Sequence, residues 1–300
     1  MTSQNRTIVI CGASGKQAGA VLKSLLKSRD WNIVALSRDP DGARAAALKH
    51  RGVELRRADL QDRATLNQAF AGVYGVYGVT TPMTPKGKLD TRMEREQGIN
   101  IADACVANHV EPLVMSTVLN ISKDQEAIPY VGSKQEIEKY VIAQGIPYTF
   151  LRPASFMDEI GGEFLPVKNG VVTGQADDDA KIPYIACQDI GEFARLAFAD
   201  PGTFIGQKLN LAGDFISGVE LAQVLSRVSN GRAFMHKAPP MWLMWNVARE
   251  WISLRKQFES WGRAPYPETL LQPLEDSRRL LPDILSFEQY LRATGFGASR

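Results

Sequence analysis

The chain lacks features that would place it in several specialised classes of protein. It has only three cysteines, Cys11, Cys105 and Cys187, and their wide spacing argues against a disulfide framework or a zinc cluster. The first apolar segment is too short for a signal sequence or a membrane span. A net charge of +2, from 35 basic and 33 acidic residues, gives no basis for nucleic-acid binding. We therefore expect a cytoplasmic protein in a reducing compartment, with no metal, membrane or nucleic-acid partner.

The 300 residues are 44% hydrophobic and 23% charged, which is ordinary for a folded protein. Apolar runs that read as strands alternate with segments whose apolar residues recur at helical spacing. The predicted strands cover residues 7–11, 31–36, 53–55, 73–79, 113–115 and 148–151, and the clearest helices cover 92–108 and 133–144. This alternation predicts an α/β fold with a doubly wound parallel sheet (Rossmann fold) and a smaller C-terminal α+β substrate subdomain.

The alternation loosens after Arg152 and Pro153, where Gly, Pro and Asp become frequent. We therefore predict a Rossmann domain over residues 1–155 and a mainly substrate-side subdomain over 156–300. Part of 184–212 is expected to return to the Rossmann sheet, because it contains apolar residues at helical spacing. The tryptophan-rich segment 241–254 also has helical spacing and predicts a helix packed over the substrate side. A mobile lid, a dimer face and a docking site for a protein partner remain open as alternatives.

A glycine-rich segment follows the first predicted strand directly: Gly12-Ala13-Ser14-Gly15-Lys16-Gln17-Ala18-Gly19. A pyrophosphate approaches the backbone closely only where side chains are absent, and a helix that starts at such a loop offers free N–H groups and a positive dipole end. The strand, glycine loop and helix therefore predict a dinucleotide site. The residues expected to bind the cofactor there are Gly12, Ser14, Gly15, Lys16 and Gln17.

The end of the second strand distinguishes NAD from NADP, because a basic residue there accommodates a 2′-phosphate. Ser37 and Arg38 favour NADP(H), and Lys16 adds positive charge. In the alternative interpretation, Asp39 faces the ribose and Arg38 is a solvated residue at the start of a helix. Asp59 and Leu60 follow the third strand and are predicted to contact the adenine. The competing role for Asp59 is the N-cap of the next helix.

Taken together, these motifs resemble the NmrA-like family of atypical short-chain dehydrogenase/reductases. The resemblance rests on the glycine loop, Ser37-Arg38, Ala58-Asp59-Leu60, Val114-Met115-Ser116 and Lys134-Gln135-Glu136-Ile137-Glu138, and it extends from about Thr7 to Leu291. It implies an NADP-binding Rossmann domain with a smaller C-terminal subdomain. Members of the family include reductases, some of them in fungal secondary metabolism, and cofactor-sensing regulators that lack a working catalytic tyrosine.

Candidate catalytic residues lie beyond the cofactor motifs. Tyr130 and Lys134 have the Tyr-x-x-x-Lys spacing that puts both side chains on one helix face. A tyrosine whose pKa is lowered by a lysine ammonium can protonate a developing alkoxide. Ser116, at the end of the fifth strand, could polarise the carbonyl, and the trio resembles the Ser-Tyr-Lys set of the dehydrogenases. In the alternative interpretation, Tyr130 only packs at the helix entrance, while Lys134 still binds the ribose.

Three further residues are predicted to surround the nicotinamide. Thr80 follows the fourth strand, and Pro153 and Phe156 follow the sixth. Pro153 and Phe156 could form an apolar wall beside the nicotinamide. Plain core packing explains these two residues equally well. An apolar wall suits a small hydrophobic substrate. The sequence thus predicts an NADPH-dependent reductase of a carbonyl or enone compound. The alternative is a non-catalytic NADP(H)-sensing regulator that binds a protein partner.

Overall fold

The structure is a computed structural model that describes residues 6–84, 87–247 and 251–296. The chain forms two compact units. Unit 1 comprises the chain up to Val118 together with Pro129–Arg152 and Ile190–Leu209. Unit 2 comprises Leu119–Ile128, Pro153–Asp189 and the chain from Asn210 onward. The assignment of cofactor and substrate roles to 1–155 and 156–300 stays a prediction.

The elements are numbered in chain order. The strands are β1 (Arg6–Ile10), β2 (Trp31–Ser37), β3 (Glu54–Arg57), β4 (Gly75–Val79), β5 (Leu113–Ser116), β6 (Tyr148–Pro153), β7 (Ser155–Phe156), β8 (Val167–Lys168), β9 (Val171–Thr173), β10 (Lys181–Ile185), β11 (Lys208–Leu211), β12 (Asp214–Ser217) and β13 (Met235–Lys237). The α-helices are α1 (Lys16–Ser28), α2 (Ala43–Lys49), α3 (Arg63–Ala69), α4 (Thr91–Ala107), α5 (Pro129–Ala143), α6 (Cys187–Ala199), α7 (Pro201–Phe204), α8 (Gly218–Val228), α9 (Met241–Val247), α10 (Ile252–Trp261), α11 (Glu268–Leu280) and α12 (Phe287–Thr294).

The main sheet confirms the predicted doubly wound α/β fold. Within the described residues its strand order is β11-β6-β5-β4-β1-β2-β3, and the pairs from β6 to β3 are parallel. The chain builds outward from β1 to β3 on one side and from β4 to β6 on the other. The order therefore reverses between β1 and β4, and ligands of such sheets bind beside the carboxyl ends of the strands at this switch point.

The sheet of unit 1 is buried because its central strands are almost wholly apolar. Ile8, Val9 and Ile10 of β1 are fully buried. Cys11 follows them, and burial raises the pKa of its thiol to about 12.

Two predicted boundaries were wrong. The third strand is β3 rather than 53–55, and the helix predicted over 133–144 begins at Pro129, because proline fits the first turn of a helix.

Helices α4 and α5 pack unusually closely because of a glycine. A Cβ atom added to Gly98 would lie 2.5 Å from Cγ1 of Ile137, so only glycine permits this separation. Glu94 lies one turn before Gly98 on α4, and Lys134 lies almost one turn before Ile137 on α5. The close crossing therefore brings a carboxylate and an ammonium group together.

Unit 2 has its own core. Its two small sheets have the strand orders β12-β10-β7 and β13-β9-β8, and α8 and α12 begin with capping boxes. Buried apolar residues in this unit include Met157, Leu165, Tyr184, Leu225 and Phe287.

The segment predicted as one helix over 241–254 contains α9 and the start of α10, and residues 248–250 lie outside the described part of the chain. Across the described ranges, no helix is both long and apolar enough to span a bilayer.

Candidate cofactor and active site

The glycine loop has the geometry that a phosphate cradle requires. Gly12 has φ +69°, a conformation that favours glycine, and a Cβ atom there would lie 3.2 Å from Cγ1 of Val79. The Gly15 N–H donates to the carbonyl of Gly12 at 2.8 Å. Gly15 is the N-cap of α1 and provides no side-chain cap. Gly12, Ser14, Gly15 and Lys16 are all exposed, so the first N–H groups of α1 face a site where an anion can bind.

Gln17 and Ser116 form a buried hydrogen bond behind this loop. The Gln17 Nε2 donates to the Ser116 Oγ at 2.5 Å and thereby ties the start of α1 to the end of β5. Ser116 is only 2% exposed. The hydroxyl predicted to polarise the substrate is thus engaged with Gln17.

The ends of β2 and β3 present the residues predicted to select the cofactor. Arg38 is exposed, and the Ser37 Oγ accepts a hydrogen bond from the Asp39 N–H at 3.2 Å. The Asp59 Oδ1 accepts from the Gln61 N–H at 3.0 Å, which forms a local turn. The N-cap role considered for Asp59 was wrong. Asp62 is the N-cap of α3, because its carboxylate accepts from the first backbone N–H groups of that helix.

Glu94 is the centre of a buried polar cluster beside the ends of β4 and β5. Its carboxylate is fully buried and accepts hydrogen bonds from three side chains. Lys134 Nζ donates to its Oε1 at 2.7 Å, Thr80 Oγ1 donates to Oε1 at 3.1 Å, and Ser133 Oγ donates to Oε2 at 2.6 Å. Lys134 Nζ also donates to Thr80 Oγ1 at 3.3 Å. The cluster fixes the lysine ammonium in one position.

Tyr130 lies on α5 one turn before Lys134, as the spacing predicts. The prediction that the lysine lowers its pKa was wrong. Burial of the phenol, with the Glu94 carboxylate as a second cause, raises the pKa of Tyr130 well above its usual value. Because the Lys134 ammonium pairs with Glu94, the pair presents little net positive charge to the phenol. Tyr130 is therefore held in its protonated form.

A second buried ion pair anchors the same helix. The Glu138 carboxylate of α5 accepts from both Nε and Nη2 of Arg152 in β6, with 2.9 Å between Nε and Oε1. The Thr117 hydroxyl, just after β5, donates to the same carboxylate at 2.7 Å. This bidentate pair holds α5 against the ends of two strands, and it thereby restrains the helix that carries Lys134.

The remaining predicted residues divide between the two units. Leu60 is partly buried against the core of unit 1, and its carbonyl accepts from Asn100 Nδ2 at 3.0 Å. Pro153 and Phe156 belong to unit 2. Phe156 pairs with Ile185 between β7 and β10. The predicted contacts of Pro153 and Phe156 with a nicotinamide stay predictions.

Glu94 and Ser133 were not among the predicted site residues, and Glu138 was named only within the family motif that begins at Lys134. One signal could have identified Glu94, because it occupies the same face of α4 as the buried residues Gly98, Ile101 and Cys105. A carboxylate on an otherwise apolar helix face requires a buried partner.

The fold and the glycine loop define a doubly wound α/β protein of the dinucleotide-binding type. The chain belongs to the NmrA-like family, whose model matches residues 4–287. The NmrA-like oxidoreductase himF of Aspergillus japonicus is 26% identical over an alignment of 257 residues, and the match covers 78% of this chain and 76% of himF.

Two solved structures show the same fold. The negative transcriptional regulator Nmra aligns with a TM-score of 0.76 at 19% identity over 96% of this chain and 95% of that one. The Citrobacter sp. triphenylmethane reductase, complexed with NADP(H), aligns with a TM-score of 0.74 at 21% identity over 95% and 99%. The Nmra protein has also been solved with NAD and with NADP, so the ligands of these neighbours agree with the predicted cofactor class.

Proposed function

We propose that the protein is an NADPH-dependent oxidoreductase that reduces a small hydrophobic carbonyl or enone compound. The observation that carries the proposal is the exposed glycine loop at the switch point, with the Glu94 cluster fixing Lys134 in the same unit. The similarity to himF, an oxidoreductase by name, supports the reaction class.

The residues of unit 1 fit a bound NADP(H). A Cβ atom at Gly12 or Gly15 would crowd Val79 or the Gly12 carbonyl, so glycine keeps the loop in its tight conformation. The first turn of α1 then supplies N–H donors for a pyrophosphate. Arg38 supplies a guanidinium for the 2′-phosphate. When bound, the cofactor supplies the hydride. The protein supplies binding, orientation and a proton.

Lys134 is the residue best placed to orient the ribose. Its ammonium has three N–H donors, and among the described residues Glu94 and Thr80 accept two of them. The third donor is left for a ribose hydroxyl. Thr80 and Glu94 hold the ammonium at one point, so little side-chain entropy is lost when the ribose binds.

Tyr130 is the proposed proton donor. Its phenol is protonated at neutral pH, which is the form needed to protonate the oxygen of a reduced carbonyl, but the raised pKa makes it a weaker acid than an ordinary tyrosine. The assignment therefore rests on its position one turn before Lys134 on α5. Ser116 is buried on Gln17, and we assign it the positioning of the glycine loop rather than direct contact with substrate.

The test is NADPH oxidation by a panel of quinones, enones and aromatic aldehydes, with Tyr130→Phe compared to wild type. We expect the variant to lose about 10²- to 10⁴-fold in kcat, the usual contribution of a general acid, while the Kd for NADPH is unchanged. Tyr140→Phe is the matched control, because its hydroxyl lies on the same helix and bonds Asp103 at 2.7 Å. Equal activity of the wild type and Tyr130→Phe would remove the proton-donor assignment.

A regulator that senses NADP(H) and binds a protein partner is the second candidate. The raised pKa of Tyr130 favours the regulator, because the catalytic tyrosine of a dehydrogenase is expected to have a lowered pKa. The fold shared with the regulator Nmra is compatible with it. Binding of NADPH without oxidation by any compound of the panel, together with partner capture only in the presence of cofactor, would support this candidate over the reductase.

We also propose a cytoplasmic location. Cys11, Cys105 and Cys187 are buried and form no disulfide bond, which suits a reducing compartment. Cell fractionation tests the proposal, and recovery in an organelle or an extracellular fraction would contradict it.

A further inference from the structure

Arg57 lies beside the residues predicted to select the cofactor, although no motif includes it. It is the last residue of β3, and it pairs in the sheet with Ser37, the last residue of β2. Its Nη1 donates to the carbonyl oxygen of Arg38 at 3.0 Å. The parallel register therefore brings Ser37 and two arginines to one corner of the sheet edge.

The guanidinium of Arg57 can exchange its present partner for a phosphate. The side chain is 64% exposed, and its Nη2 lies 3.8 Å from Oδ2 of Asp41, which is itself 80% exposed. Asp41 also pairs with Lys49 at 3.2 Å. An exposed ion pair of this kind contributes little to stability, so it is no obstacle to a more highly charged anion.

Acidic residues beside Arg38 in the chain favour a further cation at this corner. Asp39 and Asp41 follow Arg38 within three residues, and the Asp39 Oδ1 accepts from the Asp41 N–H at 3.3 Å. Two carboxylates therefore accompany Arg38 on this loop. A phosphate monoester carries about −1.5 to −2 charges at neutral pH and would be repelled by them. Arg57 adds the positive charge that offsets this repulsion.

We propose that Arg57, together with Arg38, binds the 2′-phosphate and sets the preference of this protein for NADP(H) over NAD(H). The inference rests on the proposed function, because it concerns the adenosine end of the same cofactor site. The hydrogen bond from Nη1 to the Arg38 carbonyl fixes the guanidinium before binding, which reduces the entropy lost on capturing the phosphate.

The test is calorimetric titration of the full chain with NADPH and with NADH, using Arg57→Gln, Arg57→Lys and Arg56→Gln. We expect Arg57→Gln to weaken NADPH binding about 10-fold, the scale of one charge-assisted hydrogen bond, and NADH binding less than about 2-fold. Arg57→Lys keeps the positive charge but loses the two-armed geometry of the guanidinium, so its NADPH affinity should lie between those of wild type and Arg57→Gln. Arg56→Gln is the control, because Arg56 bonds Glu54 and the carbonyl of Ala69 instead.

The outcomes separate this inference from the function on which it rests. Equal weakening of NADPH and NADH by Arg57→Gln would show that Arg57 only supports the loop, and it would overturn the inference while the cofactor site stands. An unchanged NADPH affinity in Arg57→Gln would overturn it in the same way. A wild-type protein that binds neither nucleotide would overturn both proposals.

Discussion

Replacing Glu94 by glutamine tests whether the buried cluster holds Lys134 as an ammonium ion. Glutamine keeps the size and one oxygen acceptor of Glu94 but removes its negative charge. The carboxylate is fully buried, and the Lys134 side chain is only 10% exposed, so water screens the pair poorly. The substitution leaves an ammonium without a counter-charge in a low-dielectric site.

Removing one partner of a buried ion pair destabilises a protein by about 3–5 kcal/mol, and we expect Glu94→Gln to fall in this range. Glu96→Gln on the same helix is the control. Glu96 is 53% exposed and pairs with an exposed arginine at 3.0 Å, so its loss should cost less than about 0.5 kcal/mol. The double variant Glu94→Gln/Lys134→Met removes both charges and should recover at least about 2 kcal/mol relative to Glu94→Gln.

The free energy of unfolding is measured by urea denaturation followed by circular dichroism for five proteins: wild type, Glu94→Gln, Lys134→Met, the double variant and the Glu96→Gln control. A coupling energy of about 2 kcal/mol or more between Glu94 and Lys134 supports the reasoning. A cost below about 1 kcal/mol for Glu94→Gln, or equal effects of Glu94→Gln and Glu96→Gln, would refute the buried ion pair as the element that positions the lysine.

Three further predictions concern the fold and the glycine loop. Gly98→Ala should destabilise by about 1–3 kcal/mol through overpacking at the α4–α5 crossing. Gly202→Ala should be close to neutral, because a Cβ atom there would make only an ordinary contact with Asp200 Oδ1 at 3.5 Å. Gly12→Ala should abolish most NADPH binding in calorimetry, whereas Gly72→Ala, with the same φ of +69° and no neighbour within 4 Å, should leave it intact. Burial raises the pKa of Tyr184, so the folded state keeps this proton while the unfolded state loses it, and stability should fall above about pH 10. Tyr184→Phe should reduce that fall by about 1.4 kcal/mol per pH unit in urea titrations at alkaline pH.

Each of these predictions has a contradicting result. Equal stability of Gly98→Ala and Gly202→Ala would show that the helices can move apart at no cost. Equal loss of NADPH binding in Gly12→Ala and Gly72→Ala would trace the effect to backbone strain rather than to the cradle. An unchanged alkaline slope in Tyr184→Phe would contradict the burial argument for that phenol.

Local patterns predicted the sheet and the glycine loop well. The buried strands are short apolar runs, which the sequence shows directly. The tight turn between the first strand and the first helix requires glycine, so it is also visible in the sequence. The spacing of Tyr130 and Lys134 likewise placed both on one helix. Strand and helix ends were less certain, because they depend on neighbours: β3 extends to Arg57 since it pairs with the end of β2.

Long-range contacts set the chemistry of the site, and the sequence does not show them. The pKa of Tyr130 is raised first by burial of the phenol and second by Glu94, which precedes Tyr130 by 36 positions and comes close to α5 at the crossing beside Gly98. Ser116 lies at the predicted strand end, but its partner Gln17 comes from the first helix. Both contacts depend on which elements are neighbours in the folded chain, which spacing along one helix or strand cannot reveal.

Calorimetric titration of the purified wild-type chain with NADPH tests the central claim most directly. We expect one molecule of NADPH to bind per chain, and more tightly than NADH, since the loop accepts the pyrophosphate and the arginines at the neighbouring strand ends accept the 2′-phosphate. A titration that shows no binding of either nucleotide would contradict the assignment of the glycine loop, and with it the proposed reductase and the proposed sensor.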